Sequence, residues 1–408
     1  EIGFPTQKIE DWKYTNVLPI VEKNFKPSNL IDSWANEQII EATKKFIDND
    51  PIIANLSSNQ LVFIDGHFVE ALSKIQNTDD FEILPIKKAI KEKLEPIKKH
   101  FNRYVEIENG FNALNNLFFS DGIFLNVKDN VVEDEPIVIV FVQSGVDELM
   151  INPRNLIVVG NNSKIRLIES YISLGSSQNF TNTITEIFIA ENSFLEHYKF
   201  QNESIQGFHI GKTQTQLERN SNFISHNLAF GGLITRNDIN IVLDGEGAES
   251  HFYGLYFVKD KQHIDNHTLV DHSKPYCLSN EFYKGILSEN SRGVFNGKII
   301  VRKGAQKTNA YQSNKNLLLS GNAKIDTKPQ LEIFADDVRC THGATVGQLD
   351  DDALFYLRSR GIDEKNARSL LINAFANDVL SNMTFEPLRN KINDFVIEQL
   401  NQILTKNN

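Results

Sequence analysis

Cysteine is nearly missing from this chain: there are two in 408 residues, Cys277 and Cys340. A disulfide framework is excluded at this length, and a reducing, cytoplasmic setting is the simplest expectation. Net positive charge is missing too, because 42 Lys and Arg face 53 Asp and Glu, a formal charge of −11. That balance excludes a sequence-independent nucleic-acid binder, which needs a basic face, and electrostatic docking on anionic lipid. No apolar run approaches the ~18–20 residues of a membrane span. The opening EIGFPTQKIEDWKYTN lacks the charged-then-apolar order of a signal peptide. The chain begins at Glu1 rather than Met, so a few residues are expected ahead of it. No G-x-S-x-G elbow and no H-E-x-x-H pair occur. Without a self-sufficient active site, a non-catalytic scaffold or subunit is favoured over a free-standing enzyme.

What is present is enough apolar surface for a large core. Hydrophobic residues make up 40% and Phe alone numbers 28. The length exceeds what one compact core usually serves, so several domains or one elongated body are expected. Residues 1–118 read as mostly helical. Apolar residues recur at helical spacing from Trp34 to Ile47 and again from Leu84 to Phe101, where Pro96 predicts a break. The six lysines of that second stretch read as a solvated face. LVFIDGHFV, from Leu61 to Val69, reads as a hairpin, because Asp65-Gly66 suits the positive φ of a type I′ turn.

From Gly122 to Phe334 the period changes to two. Short β-prone runs such as PIVIVFV, KIRLIESYI, TITEIFIA and SHFYGLYFV follow one another, separated by Asn, Gly, Ser or Asp. That pattern fits a large sandwich, a barrel, a propeller or a β-solenoid. Long polar runs such as KTNAYQSNKNLLLS suit stacked parallel coils, where each strand pairs above and below. The solenoid is therefore preferred, spanning 119–338. With two dozen residues per coil and ~4.8 Å between coils it would be a rod of roughly 45 Å. Its two ends would need covering, or would be left for a partner. From residue 339 a helical domain is expected to 408. Asp350 and Asp363 are placed as N-caps, Gly361 as a C′ residue, and a third helix is expected from Glu386 to Leu404.

Three stretches carry candidate chemistry. Cys340 and His342 are two residues apart, so in an extended segment they face the same side within roughly 7 Å. They could share a metal, or the imidazole could lower the thiol pKa; the rival reading is a buried structural Cys beside a hydrogen-bonded His. An iron–sulfur cluster typically takes four ligands, so any cluster here needs a second chain. His263, His267 and His272 resemble a ligand series, but the segment reads as strand, where His272 differs in parity from the other two. GFHIGKT, from Gly207 to Thr213, imitates a phosphate loop with one residue too few between the glycines and no helix after it. ATP binding by that segment is not expected.

CTHGATVGQLDDDALFYLRSRGI, GFPTQKIEDWKYT, KPYCLSNEFYKGILSENSRGVFNGKIIV and DTKPQLEIFADDV together resemble the SufB/SufD family of iron–sulfur cluster assembly. The likeness runs from Gly3 into the C-terminal helices. Cys340-Thr341-His342-Gly343 resembles the SufD branch, with Thr341 where Ser is common; Gln7 stands where a basic residue is common. The SufB branch has a His-Glu-Ala type sequence there and a Cys in the later helix, where this chain has Leu357. The resemblance implies a right-handed parallel β-helix flanked by N-terminal and C-terminal α-helical domains. It implies a heterodimer with a SufB-like subunit and a SufC-like ATPase on the C-terminal helices, whose ATP-driven motion exposes a shared cluster-forming interface. It places Cys340 and His342 as candidate shared iron or cluster ligands at that interface, and Leu354, Phe355, Tyr356, Arg358 and Arg360 at the ATPase contact. No tightly bound cofactor is implied, only iron or a cluster held transiently with the partner. A β-helix carbohydrate-active enzyme and a homodimeric scaffold acting without SufB are the alternatives.

Overall fold

A computed structural model describes residues 2–57, 59–76 and 79–406. Its body is a parallel β-helix of about eight turns with helices at both termini. Successive strands alternate between two sheets. One sheet climbs from Arg154–Val159 through Phe180–Ile189, Phe208–Leu217, Ile234–Leu243, His263–His272 and Arg292–Val301 to Lys324–Ile333. The other climbs from Lys164–Ser173 through Phe194–Asn202, Asn222–Ala229, Glu249–Val258, Leu278–Leu287 and Asn309–Leu318 to Arg339–Gly347. All these neighbours pair in parallel. A coil takes 26 residues where Phe208 pairs with Ile234, but 32 where Arg292 pairs with Lys324. Both exceed the two dozen expected, and the variation explains why no strict repeat is visible.

The corners explain why Asn and Ser separate the strands. Asn130, Asn162, Asn192 and Asn220 adopt left-handed φ of 65, 56, 57 and 52°. Asn tolerates that conformation better than other residues with a Cβ. Their side chains form a ladder, with Nδ2 of one donating to Oδ1 of the next at 3.0, 3.2 and 3.2 Å.

Inside the solenoid runs an apolar core that includes Leu167, Ile187, Phe223, Ile241, Phe252 and Phe295. Strand period two puts alternate residues on the outer faces, which are also covered. On the second sheet, Ile168, Phe200 and Leu255 pack under the C-terminal helices Glu364–Leu380 and Glu386–Lys406. On the first, Phe180, Phe208 and Ile210 pack under Trp12, Val17 and Phe111 of the N-terminal region.

The expected hairpin is present: Gln60–Ile64 pairs antiparallel with His67–Phe68 through Asp65 and Gly66, both at positive φ. Pro96 lies in the first turn of a new helix, Glu95–His100, and so ends the run it was expected to break. The helix expected from Trp34 to Ile47 spans Glu37–Asn49, capped by Asn36; Trp34 precedes it and stacks on His67. Two expected boundaries differ from the pairing. Strands Gln60–Ile64 and Phe81–Pro85, inside 1–118, join the solenoid sheets. Arg339–Gly347, beyond 338, is the solenoid's last strand, and helix begins only at Asp351. Edge pairing decides both, and edge pairing leaves little trace in a single strand's pattern.

Candidate functional site at the open end of the solenoid

Arg339–Gly347 and Lys324–Ile333 are the last strands of their sheets, and both lie at the same end. Among the described residues no strand pairs with either outer edge. Arg339–Gly347 is exposed along its length except at half-buried Cys340. Cys340 pairs with Ala310 and packs against the lumen core, so its face points inward. His342 shares that face and pairs with Gln312, but at the mouth it is exposed. The thiol and imidazole thus sit together on the rim, as expected from their spacing. The thiol is not activated, however. Burial raises the Cys340 pKa, opposed by the Ala310 backbone. The chain alone therefore holds Cys340 as a protonated thiol near neutral pH, the form in which it does not bind metal.

Below the rim the lumen is polar rather than apolar. Asn309–Leu318 sends Gln312, Asn314 and Asn316 inward, all buried. Tyr256 donates to Asn316 Oδ1 at 2.5 Å, and Asn316 donates to Asn314 Oδ1 at 2.6 Å. Gln312 Nε2 donates to Glu281. Glu281 is fully buried, and burial lifts its pKa to about 7 against the hydrogen bond from Gln312.

Deeper still lies a charged cluster that single-chain pattern reading missed. Lys199 Nζ donates to His209 Nε2 at 3.0 Å, and His209 Nδ1 donates to Glu203 at 2.7 Å. That order requires a neutral imidazole, and burial does lower His209. Glu203 also accepts from Gln143, Thr181 and Gln201. One coil away, Glu169 accepts from His197 at 3.0 Å. Burial would raise Glu169, but His197, Lys199 and Tyr171 hold it at about 2. Such charges persist inside a protein only when fully paired. The signal was in HYKFQNE, where charged and apolar residues alternate, but strand period alone does not say which parity faces in.

The C-terminal helices are fastened to the outside of the second sheet by two polar anchors. Lys284 Nζ donates to the Phe375 carbonyl at 2.9 Å and to Asp378 at 2.5 Å, and stands 4.0 Å over the Phe375 ring. Glu196 accepts from Thr384 N at 3.1 Å and from Thr384 Oγ1 at 2.5 Å. The helix Asp351–Ser359 stands outside this attachment. Asp350 caps it by accepting from Asp352 N and Ala353 N, Gly361 ends it at φ 87°, and Asp363 caps the next helix. Of the five residues expected at the ATPase contact, four are exposed: Phe355 at 74%, Tyr356 at 58%, Arg358 and Arg360. Arg358 pairs with Glu364 and Arg360 lies over the Tyr356 ring. Leu354 is 8% exposed and lines a cleft with Leu318, Leu319, Leu349 and Arg368, so unlike the other four it is not a surface residue.

The remaining candidates have structural partners. His263 bonds to Thr15 at 2.8 Å, His267 lies 3.0 Å from Asp265, and His272 bonds to Ser279 at 2.9 Å. Among the described residues no group of three His, Cys, Asp or Glu side chains could hold a metal. Cys277 is buried, with its pKa lifted to about 11 by burial. GFHIGKT lies mostly in the strand Phe208–Leu217, and Lys212 is tied to Glu108 at 2.6 Å. No helix of the described chain is long and apolar enough to cross a membrane.

Comparison with known proteins agrees with this architecture. Residues 141–375 match the family described as SUF system FeS cluster assembly, SufBD core domain, and residues 1–139 match the SufBD protein N-terminal region. The iron–sulfur cluster assembly protein SufD of Escherichia coli is 31% identical over 96% of this chain and 88% of its own length. An iron–sulfur cluster assembly SufBD family protein of Synechocystis is 29% identical over 97% of this chain and 87% of its own. SufD of Plasmodium falciparum is 31% identical over 60% of this chain and 17% of its own.

Proposed function

This chain belongs to the SufB/SufD family of iron–sulfur cluster assembly, and from that premise we propose that it is a non-catalytic scaffold whose open solenoid end pairs with a SufB-like subunit. The observation that carries the reading is the coincidence of three features at one end. Among the described residues two strand edges have no pairing strand, Cys340 and His342 share the rim, and an exposed aromatic helix follows within a few residues. An unpaired edge recruits another strand. Two rim ligands are at most half of a cluster site, so the partner supplies the rest. Iron, or a nascent cluster, is the cargo held between the two chains. Where a metal cation is delivered to the rim, Cys340 would bind it as the thiolate: the cation would lower the thiol pKa and the displaced proton would pass to water.

The helix Asp351–Ser359, with Phe355 and Tyr356 outward, serves a SufC-like ATPase. Force applied there reaches the solenoid through the Lys284 and Glu196 anchors, because those are polar ties between the bundle and the second sheet. Light scattering of the full chain, alone and with SufB-like and SufC-like proteins, tests the pairing. A one-to-one complex with the SufB-like chain is expected; an unchanged monomer or an exclusive self-dimer removes the reading. Within that complex, Cys340→Ser or His342→Ala lowers cluster yield by roughly tenfold while leaving the assembly intact. Full yield from both variants removes the ligand role.

A further inference from the structure

The rim rests on a column whose polarity is set by strand register. His342 pairs with Gln312 and Gln312 pairs with Glu281, so three lumen-facing side chains stack on successive coils. Residues paired across a parallel ladder project from the same face. Glu281 is buried, and when ionised it only accepts hydrogen bonds. It takes the N–H end of the Gln312 amide, which turns Gln312 Oε1 away from it. The opposite wall makes room for this amide: a Cβ on Gly297 would lie 2.3 Å from Gln312 Nε2. Gln312 Oε1 is itself buried and has no hydrogen-bond partner among the described residues. A buried carbonyl left unpaired is unfavourable, and the exposed imidazole of His342 is one coil above it.

We propose that Gln312 and Glu281 are positioning residues that select the tautomer of His342. Gln312 Oε1 accepts the N–H of one imidazole nitrogen, and the other nitrogen keeps its lone pair facing out of the mouth. Metal binds imidazole only through an unprotonated nitrogen, so this tautomer receives iron. The reverse amide orientation would donate to the inner nitrogen, turn an N–H outward and refuse the metal. Glu281 therefore acts on the rim from two coils below, through one amide. The inference rests on the reading of the rim as a cluster-forming site, but its test does not.

The full chain is labelled with ¹⁵N-histidine and its imidazole tautomers are read by long-range proton–nitrogen spectra at pH 8, with His342→Gln assigning the signal. Wild type shows a single His342 tautomer. Gln312→Leu moves it to the mixture of a solvent-exposed imidazole. The double exchange Gln312→Glu with Glu281→Gln restores the single tautomer, because a carboxylate at 312 can only accept; mere repacking would not be rescued this way. A mixed tautomer in wild type, or an unchanged one in Gln312→Leu with native circular dichroism, overturns the proposal. Full cluster yield from His342→Ala would instead remove the rim reading and leave the tautomer result standing.

Discussion

At its N-terminal end the solenoid is finished by strands that run against the ladder, whereas at its C-terminal end the ladder stops with both edges unpaired among the described residues. Phe81–Pro85 lies antiparallel on Ile123–Val127, and the hairpin of Gln60–Ile64 with His67–Phe68 closes the other sheet. Leu61, Val62, Phe63 and Ile64 are all fully buried. At the far end Tyr311, Ile333, Phe334 and Val346 are 41 to 59% exposed. Open edges with apolar side chains invite association, which is why this end, and not the other, is the one proposed to receive a partner. The closed end buries its apolar side chains within the chain itself, and the open end leaves several of its own exposed.

The largest effect should come from breaking the closed end. Phe63 is fully buried, stacked on Phe141 at 5.0 Å and against Phe68 at 5.7 Å. Phe63→Ala should cost about 3–5 kcal/mol by denaturant unfolding. A loss below about 1 kcal/mol would mean that the hairpin is an ornament rather than a cap.

A smaller effect belongs to Glu281, near the open end. Its folded pKa is about 7 against an ordinary 4.5. Between those values the folded chain holds a proton that the unfolded chain has lost. Stability therefore falls as pH rises from 4.5 through 7, and stays low above. The span corresponds to roughly 3 kcal/mol. Glu281→Gln removes the titration, so it should be more stable than wild type at about pH 8.5 and nearly equal at about pH 4. Parallel stability curves for the two proteins would show that Glu281 ionises freely.

The unequal ends also explain what could be read in advance. The period of two gave the strands, and the Asn and Ser corners gave their spacing, because both are local. Cys340 and His342 were found on one face because parity is local too, and capping by Asp350 and Asp363 followed the residues themselves. Which parity faces inward is decided by packing, so the Lys199–His209–Glu203 chain stayed hidden among other polar strand residues. Strand pairing is equally non-local. Arg339–Gly347 therefore reads from its sequence as part of the helical domain, although it is the solenoid's last strand. Leu354 and Phe355 are neighbours in sequence, and only tertiary packing decides that the first is buried and the second exposed.

The smallest effect on the isolated chain is the one that sharpens the comparison most. Val346 lies on the terminal strand, 48% exposed, and Phe355 on the following helix, 74% exposed. Both side chains are exposed, so Val346→Asp and Phe355→Asp should each shift unfolding by no more than about 0.5 kcal/mol. Association should respond in the opposite sense. A carboxylate at 346 must be dehydrated without a partner when the edge is covered, which should weaken the SufB-like complex by at least ~tenfold and leave ATPase binding alone. Phe355→Asp should do the reverse, weakening the ATPase contact and sparing the edge. Melting curves and light scattering on the same preparations separate these outcomes. Unchanged association of the Val346 variant would place the partner elsewhere and make the open end an unfinished edge rather than a reserved one.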